Sequence, residues 1–364
     1  MTPADAALEI REALVTAGVC QLCCRIAMDS VSFVRAAEIL LKAASLGISD
    51  ERLRQMVQGE GQWVQRAAEC EQLMLNFDVH DCVAAAPDGQ QVTRVCLGCD
   101  GVKVPVISDV EKGKRFEKAV QRRKRLPRRK GVHRARLIRR KGADDRFKEF
   151  KIVTYYDQSR AHCLVSVTRK DHRHAARLMR RGAAVLKVEQ AQERAAIVDG
   201  ASWIASRIKD SAVPVKEVCL DFYHLSENVH KARREVFGEE GATGHAWADR
   251  LMHGVRYEGY QAMWEQLCQT HCDHRGKRQR AAIVKLMNYL AERQEMIRYP
   301  EFERRGGDIG SGPTESQCKA TTRRIKGRGA RWEPKNAEAM MSLEALYQSG
   351  AWDKWWSTRH LIRA

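Results

Sequence analysis

From residue 92 onward the hydrophobic period changes, and the order of elements that follows narrows the possible architectures more than any other feature of the chain. The stretch "VTRVCLGCDGVKVPVI" reads as a strand with a turn at Asp100 and Gly101. "KEFKIVTYYDQSRAHCLVSVTR" reads as two strands, 150–156 and 163–167, around a second turn. "DHRHAARLMRRGAAVLK" is helical. A short buried strand at 195–198 precedes a helix carrying Trp203, Ile204 and Ile208, and a strand at 215–220 precedes another helix. Three strands in succession can form an antiparallel meander. Strands that alternate with helices pair in parallel through crossovers.

That mixed order is the outline of a ribonuclease H-like α/β core with a mixed five-stranded sheet, spanning 92–224 and returning at 309–332. Between the two parts, 225–300 reads as an all-helical insertion, with Trp247, Leu251, Tyr260, Trp264, Leu267, Leu286 and Leu290 as its core. Residues 1–85 read as a helical N-terminal region. Phe33, Ala36, Ile39 and Leu40 recur at helical spacing, Gly47 interrupts, and Ser49 and Asp50 can cap a second helix. Helix, glycine turn, helix is the helix-turn-helix outline, and DNA reading and plain packing or dimerisation both fit it. "AAAPDGQQ" reads as a linker or turn, and 333–364 as a C-terminal helix with an aromatic cluster.

Three acids fall at the ends of proposed elements. Asp100 closes the first strand, Asp199 the fourth, and Glu315 opens the last helix after the turn "IGSG". In a meander-plus-crossover sheet the first and fourth strands lie side by side, and a helix across them brings its glutamate to the same point. Gathered carboxylates repel one another, and leaving water costs more still. A divalent cation resolves this, and oxygen ligands select Mg²⁺ or Mn²⁺. Two such ions about 3.5–4 Å apart serve phosphodiester chemistry. A fourth acid, Asp221, stands three residues before His224; the pair could bind metal, position DNA or cap a helix. The strand count makes Asp199 the second ligand and Asp221 auxiliary.

The charge supports a polyanionic partner. Lys and Arg number 64 against 46 acids, a net +18, which places nucleic acid first. Segment 121–141 holds 12 cations and no acid. Arg122, Arg123, Lys124, Arg125, Arg128, Arg129 and Lys130 are therefore candidate phosphate contacts within a basic insertion at 111–145. Behind Glu315, Arg323, Arg324, Lys326, Arg328 and Arg331 are candidates for backbone contacts. Trp332 is a candidate to stack on a base or wedge into the duplex, against the alternative of core packing.

Twelve cysteines occur, most of them single within apolar stretches, where a thiol acts as a small hydrophobe. "CQLCC" (Cys20, Cys23, Cys24) and "CQTHCDH" (Cys268, His271, Cys272, His274) could supply zinc ligands or be ordinary helix residues. No export signal and no apolar run of about 18 residues is found, so a cytoplasmic, nucleoid-associated protein with no membrane partner is expected.

At "IGSGPTES" followed by "RRIKGRGARW", with "IVDGASWI" and "CLDFYHL" upstream, the sequence resembles DDE-type bacterial insertion-sequence transposases. The matching group has an Ile-Gly-Ser-Gly-x-x-Glu motif and is related to Mutator-like transposases. The resemblance runs from about Asp100 to Trp356, and the basic segment after the first strand is longer than the group's pattern. It implies a catalytic triad of Asp100, Asp199 and Glu315, with Asp221 and His224 in an Asp-x-x-His site. It further implies two Mg²⁺ or Mn²⁺ ions, terminal inverted repeats and target DNA as partners, and a homo-oligomer on DNA. A nuclease or resolvase that cuts without joining, and a non-catalytic DNA-binding protein, are the alternatives.

Overall fold

A computed structural model describes residues 15–106, 108–125, 147–239, 241–327, 330 and 332–362. Its sheet is organised around one long strand, β2 (Gln91–Pro105), in which six consecutive residues, 94–99, are buried. Both faces of that strand are covered, so it reads as an apolar run instead of an alternation. β2 pairs antiparallel with β3 (Phe147–Tyr156), and β3 with β4 (Cys163–Thr168). On its other side β2 pairs in parallel with β5 (Glu193–Val198), and β5 with β6 (Glu217–Leu220). The order is β4-β3-β2-β5-β6, the meander-plus-crossover arrangement expected.

One local expectation is corrected, and two others gain detail. The strand does not turn at Asp100 and Gly101. β3 is long enough to keep pairing with β2 out to Pro105, opposite Phe147, so the Asp-Gly pair stays within the strand. "AAAPDGQQ" is the tip of a hairpin, closed by Ala86 N–H donating to Gln90 O at 2.8 Å. The hairpin makes β1 (Val83–Ala85) a sixth strand, antiparallel to the start of β2. The basic stretch begins as a helix, α4 (Asp109–Arg125). Ser108 Oγ accepts from Glu111 N–H at 3.1 Å while Glu111 Oε2 accepts from Ser108 N–H at 3.0 Å. This reciprocal pair satisfies two N–H groups at the helix start.

Helices cover both faces of the sheet. On one face α5 (His172–Val185) and α6 (Ser202–Asp210) bury Val95, Leu97, Cys99, Val153, Tyr155, Ala196 and Val198. On the other face α12 (Gly312–Thr322) lies over β2 and β3. Beside it stands the all-helical insertion: α7 (Phe222–Phe237), α8 (Ala242–Tyr257), α9 (Tyr260–Asp273), α10 (Lys277–Ala291) and α11 (Tyr299–Arg304). Its core holds Trp247, Leu251, Leu267, Leu286 and Leu290, with Tyr260 and Trp264 half-buried and stacked at 5.6 Å.

The N-terminal helices α1 (Ala17–Asp29), α2 (Phe33–Ala44) and α3 (Asp50–Glu69) are capped by Thr16, Ser32 and Ser49. They do not stand apart as a region of their own. They share one core with α13 (Pro334–Gln348) and α14 (Trp352–Thr358), two helices where a single C-terminal one was expected. Ten consecutive residues of α13, 337–346, are buried, among them Glu338 and Glu344. Glu338 Oε2 pairs with Arg169 Nε at 2.8 Å, and Oε1 accepts from Arg169 N–H at 2.8 Å. Among the described residues no helix is long and apolar enough to cross a membrane.

Candidate active site

The parallel half of the sheet ends in a row of acids. Cys99 pairs with Val198, and Val198 with Leu220. The next residues on the three adjacent strands are Asp100, Asp199 and Asp221. Asp221 N–H still donates to Val198 O at 2.8 Å, so the row holds to its third member. Asp100 is interior to β2, yet it marks the end of pairing with β5.

The three carboxylates differ in what they do. Asp221 is buried, and both of its oxygens are used. Oδ1 accepts from His224 N–H at 2.9 Å, which caps α7, and Oδ2 accepts from Ser311 N–H. Phe222 N–H donates to Ile309 O at 2.9 Å beside it. Of the roles left open for Asp221, the structure shows the cap, and a clamp on the Gly-Ser-Gly turn. Asp199 Oδ1 accepts from Ala201 N–H at 2.8 Å, and its other oxygen has no hydrogen-bond partner among the described residues. Asp100 Oδ1 accepts from Gly101 N–H at 2.6 Å, and Oδ2 accepts from the Cys318 thiol at 3.6 Å. Burial pushes the Asp100 carboxyl up, against the pull of the Gly101 N–H, and the charge of Asp199 adds to the rise. His224, exposed and 3.5 Å from Glu227, acts in the opposite sense.

Glu315 stands in the first turn of α12 and lines an open cleft of about 780 Å³ with Asp100, Lys319, Arg323 and Lys326. Its side chain is 65% exposed and pairs with Lys319 at 2.9 Å. The structure thus brings Asp100 and Asp199 together and leaves Glu315 turned along its own helix. Among the described residues no three His, Cys, Asp or Glu side chains converge closely enough to hold a metal as they stand. An exposed pair at this spacing is worth only about 0.3–0.5 kcal/mol, so a rotamer change of Glu315 is cheap. Cys318 follows Glu315 by three residues, hence on the same helix face, and already touches Asp100. Two carboxylates held together and half-buried, a third lining one cleft with Asp100, and an all-oxygen acidic set suit a hard divalent cation. Cys318 is the contact that sequence reasoning missed; its helical spacing from Glu315 was the available signal.

The seat of α12 depends on a glycine. Thr314 Oγ1 meets Thr154 Oγ1 at 2.8 Å directly above Gly98. A Cβ on Gly98 would overlap Thr314 Oγ1 and lie 2.7 Å from Thr154 Oγ1. Gly98→Ala is therefore expected to lift the first turn of α12 and cost about 1–3 kcal/mol, the usual range for overpacking. In a urea-denaturation cycle, Thr314→Ala should recover part of that loss. Additive single effects would count against this account.

The basic residues divide. Arg122, Arg123, Lys124 and Arg125 form the last turn of α4. Arg323 and Lys326 line the cleft, Arg323 also pairing with Asp29 at 3.0 Å. Arg324 lies outside that cleft and is engaged by the N-terminal helices. Nη1 donates to Val31 O at 2.8 Å, and the guanidinium lies over Phe33 and Trp332, tying this segment to α2. Trp332 is 5% exposed and meets Phe33 edge-on at 6.0 Å. It is a core residue, so of the two readings of Trp332 the structure shows the packing one. Arg128, Arg129, Lys130, Arg328 and Arg331 lie outside the described residues. The cysteine clusters lie on α1, where Cys20, Cys23 and Cys24 are buried, and on α9. Comparison with protein-family models finds no match for this chain, and comparison with curated proteins finds none either.

Proposed function

We propose that this chain is a DDE-type DNA transposase with a ribonuclease H-like catalytic core, binding the ends of a mobile element, cutting strands there and joining them to target DNA. The observation that carries this reading is the register of the sheet. Asp100 and Asp199 become neighbours only because β2 and β5 pair in parallel with Cys99 opposite Val198. Helix α12 and the residues just after it support it by setting Glu315 and three cations, Lys319, Arg323 and Lys326, around the cleft that Asp100 lines.

Asp100, Asp199 and Glu315 would hold Mg²⁺ or Mn²⁺, which when bound supplies the Lewis acid that activates a water or hydroxyl and stabilises a leaving oxygen. The chain's own residues do the rest. Asp221 keeps the turn before Glu315 at the sheet edge. Lys319, Arg323 and Lys326 hold the phosphodiester backbone, giving affinity without sequence preference. The last turn of α4 extends the basic surface. Cutting and joining are both in-line displacements at phosphorus, so one site serves both. Bringing two ends together calls for more than one copy of the chain on DNA.

The test is an assay on DNA carrying the inverted repeats that flank the coding region, with Mg²⁺ or with EDTA. Metal-dependent nicking at the repeat ends together with a joined product is expected. Nicking without joining would replace the reading by a nuclease or resolvase. Binding that EDTA leaves unchanged, with no cut product, would replace it by a non-catalytic DNA-binding protein.

A further inference from the structure

The helical insertion reaches the acid row through the end of α10. Arg293 Nε donates to the Gly200 carbonyl at 2.9 Å, and Nη1 donates to Tyr289 O at 3.0 Å. The guanidinium lies 4.1 Å from the centre of the Tyr289 ring. Gly200 directly follows Asp199 and has φ +81°, and a Cβ there would meet Arg293 Nε at 2.9 Å. The insertion therefore grips the backbone that carries Asp199.

The Tyr289 hydroxyl is enclosed and has no hydrogen-bond partner among the described residues. An enclosed donor without an acceptor is costly, and such a group calls for an explanation. Burial pushes the phenol up to about 12; Arg293 opposes the rise, and the charges of Asp199 and Asp221 add to it. Arg293 touches both the Tyr289 ring and the Gly200 carbonyl, so the Tyr289 side chain stands beside the backbone that carries Asp199. Asp221 has both oxygens occupied by backbone N–H groups, whereas Asp199 keeps one oxygen without a hydrogen-bond partner among the described residues.

We infer that Tyr289 is a positioning residue for Asp199: its hydroxyl is the donor for the free carboxylate oxygen once that side chain turns to bind a divalent cation, on a backbone that Arg293 holds still. The inference rests on the acid row being a cation site. Donors behind metal ligands orient them, and their loss typically weakens metal binding by about 10–100-fold.

The experiment is Mn²⁺ binding to the whole chain without DNA, read from the electron paramagnetic resonance signal of free Mn²⁺. Tyr289→Phe removes only the enclosed oxygen. It is expected to weaken Mn²⁺ binding about tenfold or more while the melting temperature stays level or rises. Arg293→Lys, which retains the charge but loses the Nε donor, should weaken binding in the same direction. Tyr299→Phe is the control. Tyr299 also has a hydroxyl without a partner among the described residues, and its ring packs against Phe222, next to Asp221 in the chain; the affinity of this variant should match the parent. Tyr289→Phe within twofold of the parent, or losing Mn²⁺ and melting temperature together, overturns the inference. If the parent binds no Mn²⁺, or Asp199→Asn binds it as tightly as the parent, the acid-row reading fails and takes this inference with it. A parent that binds, an Asp199→Asn that does not and an unchanged Tyr289→Phe would sink the positioning role alone.

Discussion

Asp100→Asn is expected to abolish the proposed metal-dependent strand cleavage and to raise thermal stability at neutral pH. Losing a charged ligand should cost at least about three orders of magnitude in rate, about 4 kcal/mol of barrier. The gain in stability has a separate cause. The folded pKa of Asp100 is raised above its ordinary 3.8, first by burial and further by Asp199. The folded state therefore keeps this proton to higher pH than the unfolded chain. Stability is lost as pH rises from 3.8 through the folded value, and the loss persists at pH 7. The amide oxygen of asparagine still accepts from Gly101 N–H, so substitution removes the charge and keeps that hydrogen bond, giving up only the 3.6 Å contact from the Cys318 thiol. Glu315→Gln provides the contrast. It too should abolish cleavage, but its side chain is exposed, so the melting temperature should not move. Either variant cutting within tenfold of the parent would defeat the site assignment. A lower melting temperature for Asp100→Asn would defeat the electrostatic account alone.

Arg359→Ala is expected to be the most destabilising single substitution outside the sheet, by about 3–5 kcal/mol. Arg359 Nη2 lies 2.8 Å from Glu60 Oε2, and the two side chains are 6% and 5% exposed. The guanidinium is packed between Trp63 and Trp356 at 4.7 and 4.5 Å, and Trp355 Nε1 donates to Glu60 Oε1 at 2.8 Å. Alanine removes the cation and leaves the carboxylate enclosed. Against a typical total of about 5–15 kcal/mol, that loss would leave a substantial unfolded fraction near the growth temperature. The urea midpoint measures it. Arg35→Ala, which breaks an exposed pair with Glu38, should shift the midpoint by at most about 1 kcal/mol. A similar shift for both would show that burial is not what makes the first pair matter.

Much of the sheet could be read from the chain because period and order are local signals. The strands at 150–156, 163–167 and 195–198 each lie within an observed strand, and the meander-then-crossover order placed Asp100 beside Asp199. Misreadings arose where a tertiary partner decides. Asp-Gly looks like a turn, but the length of β3 keeps it in the strand. Val83–Ala85 is too short to show a period and is a strand only because β2 lies beside it. The start of α4 was legible in Ser108 and Glu111, though the cations that follow drew the reading toward an insertion. Arg324 and Trp332 follow the same motif as Arg323 and Lys326, and nothing in their spacing tells which side chains turn inward. The packing of α1, α3, α13 and α14 joins residues as far as 332 positions apart, beyond the reach of any periodicity.

That long-range core bears on synthesis. Arg359 and its carboxylate are separated by 299 residues. At about 5–20 residues per second, a ribosome needs roughly 15–60 s to supply the second after the first. For that interval the nascent helices have no counterpart to close on, so an interrupted message yields a chain whose amino-terminal third has an open apolar side. Proteolysis and holding chaperones would meet such fragments first.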